Sequence, residues 1–370
     1  MKKVLFIIES LGDGGAEKIL TILIKNVDKT KYDITVFVIA KTGIYVKEVE
    51  SNCRLLYALN PEKNYNSLLY KLKLKFIYCC NSALVYKTLI KENYDIEIAF
   101  VEGLATKLVA NSFNKHSKKY AWVHIDLINN PWTDIVYKSL EEERECYSRF
   151  DRVFCVSSSV KDAFDAKYDT HNSAIQYNPV DEKEIIDKSK EFKVEKKADL
   201  QLVTLGRLVP QKGYDRLVKC VKRARDEGYD HFNIWILGEG KQRVFLEKYI
   251  KDNKLDKYIT LCGFKNNPYP YIAASDAFIC SSRSEGFSTV ATEALILGKP
   301  IFTVECAGMK ELFGDCECGR IVENNDQSLY ELLVNVLKKS DFNLYTKDLI
   351  KRKENFKLKR AIEEIENLFG

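Results

Sequence analysis

Val4-Leu5-Phe6-Ile7-Ile8 is followed by Gly12, Gly14 and Gly15, and then by Ala16-Glu17-Lys18-Ile19-Leu20-Thr21-Ile22-Leu23-Ile24. Five consecutive apolar residues without alternation read as a strand buried on both faces, the habit of parallel sheets. A glycine turn and a helical run come next. Strand, glycine turn and helix in that order open a Rossmann-like unit. The turn itself, Gly12-x-Gly14-Gly15, departs from the G-x-G-x-x-G spacing of dinucleotide enzymes, so a dehydrogenase fits poorly.

The same alternation continues outward. Ile34–Ile39, Ile96–Phe100, Tyr120–His124 and Val153–Ser157 read as strands, the last leading to a helix capped near Ser158 or Ser159. Asn178-Pro179-Val180-Asp181 reads as a turn, and a charged, uneven stretch follows to Asp199. A second alternation then begins, with strands at Leu200–Leu205, Asn233–Leu237, Ile259–Leu261, Ala277–Cys280 and Pro300–Val304, and a helix over about Tyr214–Glu227. The expected fold class is α/β: two doubly wound Rossmann-like domains facing a cleft. Residues 1–180 form the first domain, 181–350 the second, and 351–370 a charged C-terminal helix, free in this reading to cross back to the first domain.

A chain of 370 residues with 46% hydrophobic content has the size for two packed cores. The net charge is +5, and residues 1–180 hold 25 Lys and Arg against 22 Asp and Glu, so neither half is basic enough for a nucleic-acid protein. The eleven cysteines are scattered and odd in number, and Met1-Lys2-Lys3 precedes only five apolar residues before Glu9. No secretory signal or disulfide framework is expected, and a reducing cytoplasm fits. No apolar run approaches the roughly 20 residues of a spanning helix. Cys316-x-Cys318 with Cys306 lacks the second pair or the histidines of a structural zinc site, so free thiols are expected and no metal.

Two segments carry chemistry. One is Gly206-Arg207-Leu208-Val209-Pro210-Gln211-Lys212-Gly213; the other is Ser284-Glu285-Gly286-Phe287-Ser288-Thr289-Val290-Ala291-Thr292-Glu293. Together they offer two cations and two carboxylates beside glycine turns. Arg and Lys can neutralise a diphosphate, and carboxylates accept hydrogen bonds from sugar hydroxyls. The set suits a ligand with a diphosphate between two hydroxyl-rich sugars. With a helix starting near Ser288, Glu293 lies about a turn and a half inside it, and the N–H groups of Phe287, Ser288 and Thr289 crown its start.

With Gly14-Gly15-Ala16-Glu17-Lys18 and Gly263-Phe264, these segments make the chain resemble the GT-B glycosyltransferases of family four, retaining enzymes of the bacterial surface-polysaccharide type that need no metal ion. The resemblance spans essentially the whole length. It implies that Arg207 and Lys212 hold the donor diphosphate and stabilise charge on the leaving phosphate. It places Glu285 near the donor sugar and Glu293 on the ribose. Gly14, Gly15, Gly206 and Gly286 let backbone approach the donor, and Gly263 and Phe264 lie beside the nucleobase, with uracil the commonest base and guanine the rival. Many relatives carry proline where this chain has Ser288. A histidine often stands where His124 does, facing the transferred sugar; a structural histidine is the equal alternative. Asp126 and Lys18 are acceptor-side candidates, and Gly308 and Glu311 resemble a second glycine loop near the donor.

Residues 63–91 hold six lysines and no Asp or Glu. Tyr65, Leu68, Leu69, Leu72, Phe76, Cys79, Cys80 and Ala83 share one helical face, with Lys71, Lys73 and Lys75 on its flanks. Two readings stand: a helix docked on an anionic membrane, or one packed inside the first domain. The resemblance implies a retaining transfer of a hexose or N-acetylhexosamine from a UDP-linked donor to a glycan on a polyprenyl diphosphate, at the inner face of the cell membrane and without a cofactor. Rivals are a sugar-nucleotide epimerase of the same architecture and a non-catalytic partner subunit.

Overall fold

A computed structural model describes residues 1–61, 67–170, 172–338 and 341–370. Packing divides the chain into two units, Met1–Pro179 with Lys359–Gly370, and Val180–Leu358.

The first unit holds seven parallel strands among the described residues: β1 (Lys2–Ile8), β2 (Tyr32–Ala40), β3 (Arg54–Leu59), β4 (Ile96–Ala99), β5 (Lys118–Val123), β6 (Arg152–Cys155) and β7 (Ser173–Ile175), in the order β3-β2-β1-β4-β5-β6-β7. The second holds six: β8 (Leu200–Leu205), β9 (Phe232–Leu237), β10 (Ile259–Gly263), β11 (Ala277–Cys280), β12 (Ile301–Val304) and β13 (Gly319–Val322), ordered β10-β9-β8-β11-β12-β13 and parallel throughout. Both orders reverse direction once, between β1 and β4 and between β8 and β11. Ligands of open α/β sheets gather at the carboxyl ends of strands beside such a reversal.

Central strands are where the sequence places them, because β1, β4, β8, β9, β11 and β12 bury nearly every side chain. The sequence reading lacks β3, β7 and β13, and all three are sheet edges. An edge strand needs no continuous apolar run: β3 exposes Arg54 and Tyr57, and β7 has three residues, none buried. The helix after β6 starts one residue early, with Ser157 as its cap accepting from the Val160 N–H.

Two helical expectations need correction. The segment 351–370 is not one helix: Thr346–Lys353 ends before a break, and Leu358–Phe369 follows. The latter lies in the first unit, where Phe369 is buried against Phe6 and Tyr32 with ring centroids 6.3 and 5.4 Å apart. The basic stretch is likewise broken at Cys80-Asn81 into Leu68–Cys79 and Ser82–Leu89, with Asn81 capping the second by accepting from the N–H groups of Ala83 and Leu84. Its apolar side is not buried. Leu68 and Leu69 are 73% and 71% exposed, and Ile77 is the buried residue of that helix. Lys63 and Tyr65 lie outside the described residues.

Candidate active site

The loops after β8 and β11 flank the reversal in the second sheet. Gly206 follows β8, a short turn Pro210–Lys212 comes next, and the helix Tyr214–Asp226 leaves from Gly213. Gly213 has φ +68°, and a Cβ there would sit 2.0 Å from the Ser281 carbonyl oxygen. Only glycine lets the two loops approach this closely.

Lys212 Nζ lies 2.7 Å from Glu285 Oε1, and Ser282 Oγ donates to the same oxygen at 2.5 Å. Burial opposes the charge on Lys212, but the Glu285 carboxylate outweighs it, and the ammonium titrates above its ordinary value. Arg207 is exposed, close enough for its charge to be felt at Lys212. One cation is thus held in place by a carboxylate while the other faces water beside it. Ser288 caps the helix Thr289–Ile296, accepting from the Ala291 N–H, so its hydroxyl does the work that a proline at that position leaves undone. Glu293 is buried inside that helix, Gly286 and Phe287 are buried before it, and Thr289 is half-buried. Gly308 packs on this turn: a Cβ there would meet the Gly286 carbonyl oxygen at 2.5 Å. Glu311 sits in the short helix Met309–Phe313 that follows.

Three residues absent from the sequence reading hold the two loops together. Arg216 is buried and donates from Nε to Ser281 O at 2.8 Å, and from Nη2 to Ser282 O at 2.9 Å and Asn324 Oδ1 at 2.7 Å. Arg283 forms a bidentate pair with Asp215 at 2.7 and 2.8 Å and also donates to the Pro210 carbonyl. Their roles depend on partners 65 to 108 positions away in sequence, which no local pattern announces. On the far side of β8, Gly263 accepts from the Gly238 N–H at 2.9 Å, and Phe264 is half-exposed. Cys280 and Cys306 border the Ser282 turn, and burial pushes both thiols up, away from reactivity.

The first unit's reversal carries the other candidates. Gly14 caps the helix Gly15–Asn26, and a Cβ on it would meet Glu17 Oε2 at 2.2 Å, so the Glu17 carboxylate folds back over the glycine turn. Lys18 is half-buried on that helix. His124 follows β5 directly. Its Nε2 is 2.9 Å from the Phe100 carbonyl, which can only accept, so Nε2 carries the proton and Nδ1 is a bare acceptor. Burial lowers its pKa to about 4, leaving the ring neutral at physiological pH. Asp126 is committed to its own turn: Oδ1 accepts from the N–H groups of Ile128 and Asn129 at 2.9 Å, and Oδ2 from the Asn129 amide at 2.6 Å. Lys71, Lys73 and Lys75 are exposed on the helix Leu68–Cys79. All eleven cysteines are free thiols, and among the described residues no cluster of three or more His, Cys, Asp or Glu side chains could hold a metal ion.

Two Rossmann-like sheets, with a cation–carboxylate pair at the second one's reversal, define the GT-B architecture of the glycosyltransferases. This chain matches the family described as "Glycosyl transferases group 1" over residues 185–356, a little under half of its length. It is 29% identical over 360 residues to the N-acetylgalactosamine-N,N'-diacetylbacillosaminyl-diphospho-undecaprenol 4-alpha-N-acetylgalactosaminyltransferase of Campylobacter jejuni, covering 91% of this chain and 90% of that protein. A lipopolysaccharide core biosynthesis glycosyltransferase of Rhizobium meliloti is 29% identical over 135 residues, 36% of this chain and 38% of that one. Among solved structures, Anabaena HepE in complex with UDP and glucose superposes with a TM-score of 0.76 at 19% identity, covering 100% of this chain and 99% of that one.

Proposed function

We propose that this glycosyltransferase moves a hexose or N-acetylhexosamine from a UDP-linked donor to a glycan carried on a polyprenyl diphosphate, with retention of anomeric configuration, in the synthesis of a cell-surface polysaccharide. The observation that carries the proposal is the Lys212–Glu285 pair at 2.7 Å beside exposed Arg207, at the sheet reversal. As the bond between the anomeric carbon and the phosphate oxygen breaks, negative charge grows on the leaving diphosphate. Cations fixed beforehand stabilise that charge without reorganising. In a front-face substitution the acceptor oxygen bonds to the anomeric carbon on the side the phosphate leaves, and the acceptor proton passes to the leaving phosphate oxygen. Glu293 takes the ribose, and His124 Nδ1 accepts from a sugar hydroxyl. With Arg207 and Lys212 neutralising the diphosphate, the reaction needs no metal ion, and EDTA should leave it unchanged.

The UDP complex of HepE and the undecaprenol-linked acceptor of the Campylobacter enzyme support the choice of donor and carrier. Among the described residues no helix is long and apolar enough to cross a membrane. The helix Leu68–Cys79 offers a surface at which a carrier lipid can be met: exposed Leu68, Leu69 and Leu72 among exposed Lys71, Lys73 and Lys75. Tyr78 on that helix feels the charge of Glu9, which stands just past β1, so the helix reaches the strand ends of the first unit. Replacing the three lysines with alanine should release the protein from anionic vesicles; unchanged binding would remove this part of the proposal.

The donor assignment is tested by thermal shift against UDP- and GDP-sugars. A ligand at a hundred times its dissociation constant stabilises by about 2.7 kcal/mol. That shift should appear with UDP-sugars and vanish in Glu293→Ala and Arg207→Ala. Stabilisation without turnover would favour a non-catalytic partner subunit instead.

A further inference from the structure

Glu102 lies in the turn after β4, beside His124 at the end of β5, and it is 4% exposed. Its Oε1 accepts the backbone N–H of His124 in a short bond and that of Ile125 at 3.2 Å. The groups that face it supply no counter-charge: Glu143 and Tyr147 from the helix Leu140–Ser148, Tyr168 from the helix Ser158–Tyr168, and Cys155 from β6. Lys167 is turned to Glu143, 3.4 Å away. Burial pushes the two tyrosines and the cysteine up, so they stay neutral. A buried carboxylate without a cation is costly unless hydrogen bonds to the charged form repay it, and here the donors are its own backbone N–H and the two N–H groups of the His124 turn.

We propose that Glu102 is a positioning residue for the acceptor side: its ionised carboxylate grips the His124–Ile125 backbone and so fixes where the His124 ring stands, while the protonated form grips it weakly. The proposal rests on the reading that His124 faces the reacting sugar. Geometry and titration agree, since burial raises the Glu102 pKa to about 7, within reach of cytoplasmic pH. A carboxylate retained for packing alone would be better replaced by its neutral amide. One retained for grip should trade stability for order in this turn.

The experiment is amide hydrogen exchange by mass spectrometry on the full chain, in peptides covering 122–130, at pH 6 and pH 8, corrected for intrinsic rates. In the wild type, protection of the His124 and Ile125 amides should be greater at pH 8. Glu102→Gln should lower it at pH 8 by about tenfold or more, the loss of a charged hydrogen bond, and should abolish the pH dependence. Its Tm should rise at pH 8 and not at pH 5, as for any buried carboxylate; the loss of protection in this turn and of its pH dependence is the effect a merely structural carboxylate would not give. Equal protection at both pH values in the wild type would overturn the proposal, and this arm needs no variant to fold. Release of UDP from UDP-N-acetylglucosamine is followed in parallel. The expected exchange without such turnover would uphold Glu102's role and count against the donor reading alone.

Discussion

Breaking the Lys212–Glu285 pair gives a quantitative check on the donor site. The side chains are 18% and 9% exposed, and the contact is 2.7 Å. Removing one partner of a buried pair costs about 3–5 kcal/mol, mostly from the charge left behind. In Glu285→Gln the amide oxygen still accepts from Ser282, so the lower end, about 3 kcal/mol, is expected. Lys212→Met strands Glu285 with the Ser282 hydroxyl and should cost a similar amount, again about 3 kcal/mol. The double variant leaves no uncompensated charge, so its cost should fall short of the sum by about 2–3 kcal/mol. The assay is urea denaturation of the full chain, read by pulse hydrogen exchange in peptides from the second unit. The pH sign follows from the raised Lys212 value: the pair's contribution is complete below the ordinary 10.5 and is lost as pH rises through the folded value. The coupling should therefore be the same at pH 7 and pH 9. A coupling below about 0.5 kcal/mol would mean two side chains that meet without depending on each other, and the proposed function would lose its carrying observation.

Gly213→Ala must overcome both a positive φ and a Cβ 2.0 Å from the Ser281 carbonyl, whereas Gly228→Ala, at φ +95° with nothing within 4 Å, meets strain alone. The first should lower Tm well beyond the second, whose cost is about 1–3 kcal/mol; equal losses would refute the close approach of the two loops. Phe369→Ala, at a residue with no exposed surface, should cost about 3–5 kcal/mol and raise exchange in peptides from β1 and β2. Unchanged exchange there would mean that the C-terminal helix adds nothing to the first unit.

The fold was legible wherever a strand is buried on both faces, because such a strand has no freedom to be polar. It was illegible at β3, β7 and β13, which are sheet edges among the described residues and need no continuous apolar run. The candidate site shows the same division. Arg207, Lys212, Glu285 and Glu293 stand in motifs, and their residue types already imply a diphosphate and sugars. Arg216, Arg283 and Asp215 are equally charged, yet their meaning lies wholly in which carbonyls and carboxylates they reach. Asp126 shows the converse: a carboxylate two residues from a candidate histidine reads as chemistry, and the structure adds that it already accepts from three local donors. The basic helix was legible as amphipathic, but composition could not say whether its leucines faced a core or water.

Glu102 and His124 make opposed contributions to stability, and the opposition is measurable. Glu102 keeps its proton in the folded state up to about pH 7, while the unfolded chain releases it near 4.5, so folding takes up a proton between those values and stability falls as pH rises through them. His124 refuses its proton in the folded state down to about pH 4, while the unfolded chain binds one below 6.5, so stability falls as pH drops from 6.5 toward 4. Near pH 5.5 folding loses one proton at His124 and gains one at Glu102, and the two slopes cancel. Each full window is worth at most about 3 kcal/mol. Relative to the wild type, Glu102→Gln should therefore gain stability steadily from pH 4.5 to 7, and His124→Gln should lose it from pH 4 to 6.5, each by up to about 1.4 kcal/mol per pH unit. Taking differences from the wild type removes every other titrating group from the comparison. If either difference is flat with pH, the burial of that side chain is not what holds its proton state. For His124, a flat difference would further mean that its ring is not the neutral acceptor the proposed transfer requires.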